Sequence, residues 1–182
     1  MNTRQTLLFI LLLAVIIGSG WLLDGGLQDL SVSRSGPDAF VSGMHLDIMD
    51  ERGKLRYRVT ASTMVHYPDS DLLELQRPLI DLEQRNGSIW RIRAETGETT
   101  DSGDLIRLQG KVDIHRSGSS GPLQVRTRDL LVRPQQSYAT TDSAATITTP
   151  GHRVDAVGLE ADLDKNTLEL HNHVRGRIDA AG

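Results

Sequence analysis

The sequence contains no cysteine in its 182 residues, so disulfides, zinc–thiolate sites and a thiol nucleophile are excluded. Aromatic side chains are also scarce, with two Trp, three Tyr and two Phe. Val, Ile, Leu and Ala must therefore fill most of any interior. Basic clusters are missing as well, because 20 Lys and Arg are interspersed with 24 Asp and Glu and the net charge is -4. This distribution argues against a nucleic-acid-binding surface.

The usual signatures of enzymes are missing too. Gly53-Lys54 lacks the earlier glycine and the following Ser or Thr of a phosphate-binding loop, and there is no Gly-x-Ser-x-Gly elbow. His171-x-His173 would place two imidazoles on one face of a strand, but no third ligand is indicated. We therefore predict edge histidines here, and no catalytic residue, metal or cofactor.

A long apolar segment opens the chain. Residues 5–23 carry no charge, and residues 7–17 form an unbroken apolar run that resumes at Trp21. About 20 such residues span a bilayer, and Arg4 before the segment with Asp24 after it places the amino terminus in the cytoplasm. We predict a transmembrane anchor over residues 1–24, a linker over 25–37 and an extracytoplasmic domain over 38–182. A cleaved signal peptide is the alternative, because the run also fits an h-region.

One block recurs four times in the rest of the chain. Its anchors are Val59, Ile92, Val125 and Val154, at spacings of 33, 33 and 29 residues, and apolar and polar residues alternate around each anchor. A second patch lies sixteen residues after each anchor, and a turn-forming residue lies twelve after it. Alternation with a period of two indicates strands, and repetition at this spacing indicates a stacked architecture. No segment after Pro37 sustains a helical period, so we predict an all-β domain of antiparallel strand pairs, a jelly roll or sandwich.

The alternation also predicts an apolar inner face. Two interpretations stay open: these residues form a closed core, or they line an incompletely closed pair of sheets that holds an apolar ligand. The candidates for a ligand groove are Tyr57, Val59, Ala61, Leu73, Leu75, Ile80, Leu82, Trp90, Ile92, Ala94, Ile106, Leu108, Val112, Ile114, Val125, Val154 and Leu170.

Taken together, the sequence features resemble the LptC proteins of lipopolysaccharide export, in the LptA/LptC family of periplasmic β-jellyroll proteins. The likeness covers nearly the whole chain. It is carried by the N-terminal apolar segment, Asp50-Glu51-Arg52-Gly53-Lys54 leading to Tyr57-Arg58-Val59-Thr60-Ala61, Tyr67 before a turn, residues 75–78, and the repeated blocks to Val174.

The resemblance implies a twisted, incompletely closed β-jellyroll in the periplasm, held to the inner membrane by the anchor. It implies a carrier and not an enzyme, with the acyl chains of lipopolysaccharide on the inner face. The N-terminal edge would join LptF/LptG-like transporter β domains, and the C-terminal edge would join an LptA-like bridge protein. The candidate edge residues are Val41, Met44, Leu46 and Ile48 at the first edge, and Leu168, Leu170, His173 and Val174 at the second.

Two other functions compete with this hypothesis. The first is an anchored β scaffold with a closed core. The second is an extracytoplasmic hydrolase or sugar-binding enzyme, which predicts a polar cleft with convergent acids that the sequence does not show.

Overall fold

The computed structural model describes residues 36–84, 87–100, 103–118 and 121–178. The predicted anchor and all but the last two residues of the predicted linker lie outside these ranges. In the described residues, no helix has the length and apolar character needed to cross a bilayer.

The described part of the chain consists of ten strands and one short 3-10 turn at Pro134–Gln136. The strands are β1 (Ala39–Met49), β2 (Leu55–Tyr67), β3 (Leu72–Gln76), β4 (Leu79–Glu83), β5 (Ile89–Thr100), β6 (Ile106–Ser117), β7 (Leu123–Arg133), β8 (Tyr138–Thr149), β9 (His152–Asp162) and β10 (Thr167–Ile178).

These strands form one antiparallel sheet in the order β1-β2-β3-β5-β6-β7-β8-β9-β10. The short strands β3 and β4 share one position, because both pair with β2 on one side and with β5 on the other. Among the described strands, β1 and β10 are the two edges, each hydrogen-bonded to a single neighbour. The prediction of an all-β, antiparallel fold is therefore confirmed.

A line of irregularities crosses the sheet and divides it into two halves. The pairing register shifts within β5–β6, β6–β7, β7–β8, β8–β9 and β9–β10. Gly110, Asp129, Gly158 and His173 lie on this line with φ between +52° and +81°. Such β-bulges bend strands and increase their twist. We call the side that contains Val59 and Ile92 half I, and the side that contains Leu75 and Leu108 half II.

The buried aliphatic side chains of both halves form one cluster. Ile92 and Val112 of half I and Leu108 and Leu130 of half II are fully buried in it. Cross-strand partners lie on the same face of a sheet, so the pairing identifies an inner face, which carries these residues, and an outer face, which carries charged ones.

The structure differs from the sequence prediction in the extent of the strands. The alternation in the sequence predicts separate strands over residues 105–109 and 111–116, but Ile106–Ser117 form the single strand β6 with a bulge at Gly110, whose φ is +77°. The alternation predicts a strand over residues 144–148, but β8 begins six residues earlier, at Tyr138. The prediction misses this start because the first inward residues, Ala139 and Thr141, give little apolar signal.

Candidate functional site

The inner face of half I carries a continuous apolar row. It runs through cross-strand partners from β1 to β10 by way of β4, and every strand that it crosses except β10 contributes an aliphatic residue. In order, its members are Leu46, Val59, Ile80, Ile92, Ile114, Val125, Ile147, Val154 and Gly176. Half II carries a corresponding row that includes Val41, Met64, Leu75, Gly97, Leu108 and Leu130.

The predicted groove residues all belong to this inner face. Most are buried in the shared cluster, while Ala94, Val154 and Leu170 are half-buried against it and Leu73 is half-buried in β3. The fully buried set includes Ile80, Ile92, Leu108 and Val112, each with 0% exposure. In the described residues, the centre of the inner face is therefore filled by side chains.

The inner face becomes accessible at the two edges of the sheet. On β1, Val41 is 38% exposed and Leu46 is 50% exposed. On β10, Val174 is 52% exposed and Ile178 is 78% exposed. All four lie on the inner face, since Val41 and Leu46 pair with Met64 and Val59, Ile178 pairs with His152, and Val174 alternates with outward Arg175. Both edges thus present inward apolar side chains that none of the described strands covers.

The other predicted edge residues lie behind or beside these four. Met44, Ile48, Leu168 and Leu170 are half-buried against the cluster. His173 is exposed at the β10 bulge, with φ of +53°. Neighbouring His171 lies 3.5 Å from Glu160, and the described residues contain no group of three or more metal-ligating side chains.

The outer face differs sharply from the inner one in its chemistry. Arg58 and Asp47 are cross-strand partners whose side chains form two hydrogen bonds, and Arg91 and Asp81 do the same. The hydrogen bonds from Arg58 hold the pKa of Asp47 below its ordinary value. These ion pairs make the outer face of half I charged where the inner face of the same strands is apolar.

A cavity of about 730 Å³ lies where several turns meet at one end of the sheet. Leu55, Leu82, Pro134 and Leu163 contribute its apolar wall, and charged residues from the β1–β2 turn contribute its rim. Asp50 shapes that turn by accepting hydrogen bonds from the backbone N–H groups of Arg52 and Lys54. These bonds lower the pKa of Asp50.

Part of this inner surface is not predicted by the alternation of apolar and polar residues in the sequence. Leu130, Leu159 and Leu163 are fully buried, and Ile178 is the most exposed of the large inward residues. The first three stand where the alternation is broken by a bulge or a turn, so a strict period of two does not reach them. Ile178 could have been found by continuing the alternation from Val174 through Gly176.

The chain is similar to a known protein family. The sequence model of the family described as "Lipopolysaccharide-assembly, LptC-related" matches residues 7–179. A search of curated proteins gives no match.

Among solved structures, the fold is similar to the crystal structure of LptH from Pseudomonas aeruginosa. That protein is the LptA-homologous periplasmic component of the conserved lipopolysaccharide transport device. The match has a TM-score of 0.54 at 9% sequence identity, and it covers 67% of this chain and 94% of the other. At this identity the likeness shows the fold, an LptA-like β-jellyroll. With the family match over nearly its whole length, the chain belongs to the LptC-related family of lipopolysaccharide-assembly proteins and takes part in lipopolysaccharide transport.

Proposed function

We propose that this chain is a single-pass inner-membrane protein whose periplasmic domain receives lipopolysaccharide extracted from that membrane and passes it to an LptA-like bridge protein. The observation that supports this proposal is the exposure of inward apolar side chains at both edges of the sheet. The predicted anchor over residues 1–24 would keep the domain beside the membrane from which the lipid comes.

The energetics favour a protein-lined route. Burial of each methylene contributes about 0.8 kcal/mol, so one long acyl chain would lose on the order of 10 kcal/mol on entering water. An apolar surface that continues from one module to the next removes most of this barrier. The exposed inward side chains of β1 and β10 supply such a surface at the two edges of the sheet.

The two edges are the proposed junctions with partners. An edge strand has unpaired backbone donors and acceptors, which a strand of another protein satisfies by strand addition. We assign β1 to the LptF/LptG-like transporter β domains and β10 to the bridge protein. A strand added to β1 would extend the half I row beyond Leu46, and one added to β10 would extend the inner face beyond Val174 and Ile178.

The filled centre of the sheet refines where the lipid would contact the protein. Ile92 and Leu108 are inaccessible in the folded domain, so the proposed first contacts are the exposed inward residues Val41, Leu46, Val174 and Ile178. Acyl chains would then reach the predicted groove residues nearer the centre only by displacing the side chains that pack around those residues in the cluster.

A charge at an inward edge position tests the proposal. In the full-length chain in non-ionic detergent, Leu46→Glu should weaken lipopolysaccharide binding by about tenfold, because a desolvated carboxylate would face the acyl chain. Phe40→Glu is the matched control. Phe40 is on the same strand and is 66% exposed, but its pairing with Val65 places it on the outer face. Equal losses in the two variants would contradict the proposal.

The complete burial of Ile92 and Leu108 favours one alternative, an anchored scaffold with a closed core. In that case Ile92→Asp would unfold the domain and the folded protein would show no lipopolysaccharide binding to lose. Binding by the unmodified chain that Leu46→Glu weakens, without loss of secondary structure, excludes the scaffold.

A further inference from the structure

A second cavity, of about 510 Å³, lies where β2 changes its partner from β4 to β3. We call it the Arg77 notch, after the residue in the link between those two short strands. Its lining includes residues of the outer face of half I and residues of the inner face beside the line of bulges. The lining residues are His45, Thr60, Ala61, Ser62, Arg77, Pro78, Leu79, Arg93 and Ala94.

The link that forms the notch is held firmly by its neighbours. Arg77 has φ of +49°, and its backbone N–H donates to the Glu95 carbonyl at 2.9 Å. The Pro78 carbonyl accepts from the Ala94 N–H at 3.2 Å. Ser62 Oγ donates to the Gln76 carbonyl at 2.9 Å and accepts from Arg77 Nε at 3.3 Å. The guanidinium and the hydroxyl are therefore positioned before any ligand arrives.

The charge of the notch is unbalanced. Its lining includes two arginines and one histidine but no carboxylate. Arg58, Arg91 and Arg126 of this outer face each pair with an aspartate. Within the described residues, neither Arg77 nor Arg93 forms an ion pair with a carboxylate.

Two acids that neighbour the notch, Asp113 and Glu95, have contacts elsewhere. Asp113, the cross-strand partner of Arg93, contacts Arg126 at 3.3 Å and Lys111 at 3.8 Å. Glu95 lies over Gly110, where a Cβ would come within 2.2 Å of Glu95 Oε2. The cationic side chains of the notch thus remain available to an anion from solvent.

We propose that the Arg77 notch binds a phosphate group. Guanidinium groups match phosphate oxygens geometrically and form charge-assisted hydrogen bonds, and the Thr60 hydroxyl adds a further donor. The apolar floor of Ala61, Pro78 and Ala94 excludes water from one side of the site and strengthens those bonds. The phosphate is either a free anion or the headgroup of a lipid, and the second use rests on the proposed lipid-carrying function.

Chemical protection of individual arginines tests the notch. The full-length chain in non-ionic micelles is treated with phenylglyoxal at constant ionic strength, and the modification of each arginine is followed by peptide mass spectrometry. One arm adds inorganic phosphate in place of chloride. The other compares micelles that contain phosphatidic acid with micelles that contain diacylglycerol, which lacks the phosphate. Arg175 and Arg177 are the internal controls, because both are exposed on β10 in the same half of the sheet.

We expect modification of Arg77 and Arg93 to slow by about threefold or more, with little change at Arg175 and Arg177. Protection by inorganic phosphate supports a site for the free anion, and protection by phosphatidic acid alone supports a headgroup site. Arg93→Gln should abolish the protection of Arg77, whereas Arg175→Gln should leave it. Absence of protection in both arms, or equal protection of all four arginines, would overturn the proposal. The inorganic phosphate arm requires no lipid carriage, so failure of the notch is distinguishable from failure of the carrier function.

Discussion

At the scale of the residue, position along a row decides what an aliphatic side chain does. Leu46 and Ile92 lie in the same inner row, yet Leu46 is half exposed on β1 and Ile92 is fully buried on β5. Burial of a large aliphatic side chain contributes about 1.5–3 kcal/mol to folding, so Ile92 serves stability. Leu46 retains much of that apolar surface for a ligand or partner.

The outer-face aspartates make stability depend on acid pH. Folding lowers the pKa of both Asp47 and Asp155. Arg58 donates hydrogen bonds to Asp47, and the hydrogen bond from Thr146 is the larger cause at Asp155, followed by that from Arg153. Their contribution is complete above the unfolded pKa of about 4 and is lost as the pH falls through the lower folded value. We expect the urea concentration at the unfolding midpoint to be constant near neutral pH and to decrease at pH values below about 4.

Asp47→Asn should make that acid dependence shallower, because the substituted side chain does not titrate. Urea unfolding at a series of pH values measures the effect. Asp69→Asn is the control, since Asp69 lies in the β2–β3 turn and forms no ion pair among the described residues. An acid dependence of Asp47→Asn identical to that of the unmodified chain would contradict the assignment.

At the scale of the element, two buried threonines stabilise the bulge between β7 and β8. Thr141 Oγ1 donates to the Arg128 carbonyl at 2.8 Å, and Thr127 Oγ1 donates to the Ala144 carbonyl at 3.0 Å. The register of this pair shifts here, so the carbonyls lack their usual partners in the ladder. This explains why the third repeated block has Thr141 where the others have leucine.

Thr141→Val should therefore destabilise the domain although the two side chains have the same shape. The loss of a buried hydrogen bond leaves the Arg128 carbonyl unsatisfied, at a cost of about 1–3 kcal/mol. Thr148→Val, on the exposed face of the same strand, should change the free energy of unfolding by less than about 0.5 kcal/mol. Urea unfolding followed by tryptophan fluorescence compares the two, and equal effects would refute this role for Thr141.

The repeat predicted the strands but not the bulges that divide them. Anchors such as Val59 and Ile92 lie where alternation is strict, so the sequence pattern places them on the inner face correctly. The bulge at Gly110 interrupts the alternation, so a period of two divides β6 into two strands, and the weak apolar signal of Ala139 and Thr141 hides the start of β8. The predicted turn positions, twelve residues after each anchor, agree better with the structure. Asp71, Ser137 and Asn166 all have positive φ, and beside Asp104 the positive φ is at Gly103.

At the scale of the whole molecule, the sheet of the described residues has two open edges and a closed centre. The sequence pattern identified the inner face, but it could not separate the core residues from the accessible ones, because that depends on which strands are edges. Cross-strand order makes the distinction: β1 and β10 expose inward side chains, and the strands between them bury theirs. Under the proposed function, a strand of another module would cover each of these two edges.

The most direct test of the account is site-specific photocrosslinking to lipopolysaccharide in membranes. The photoreactive amino acid is placed at Leu46 or Val174 on the inner face, and at Phe40 or Arg107 on the outer face as controls. If the inner face carries the lipid, adducts form at the two inner positions and none form at the two outer ones. Adducts at all four positions, or at neither inner position in a folded protein, would contradict it.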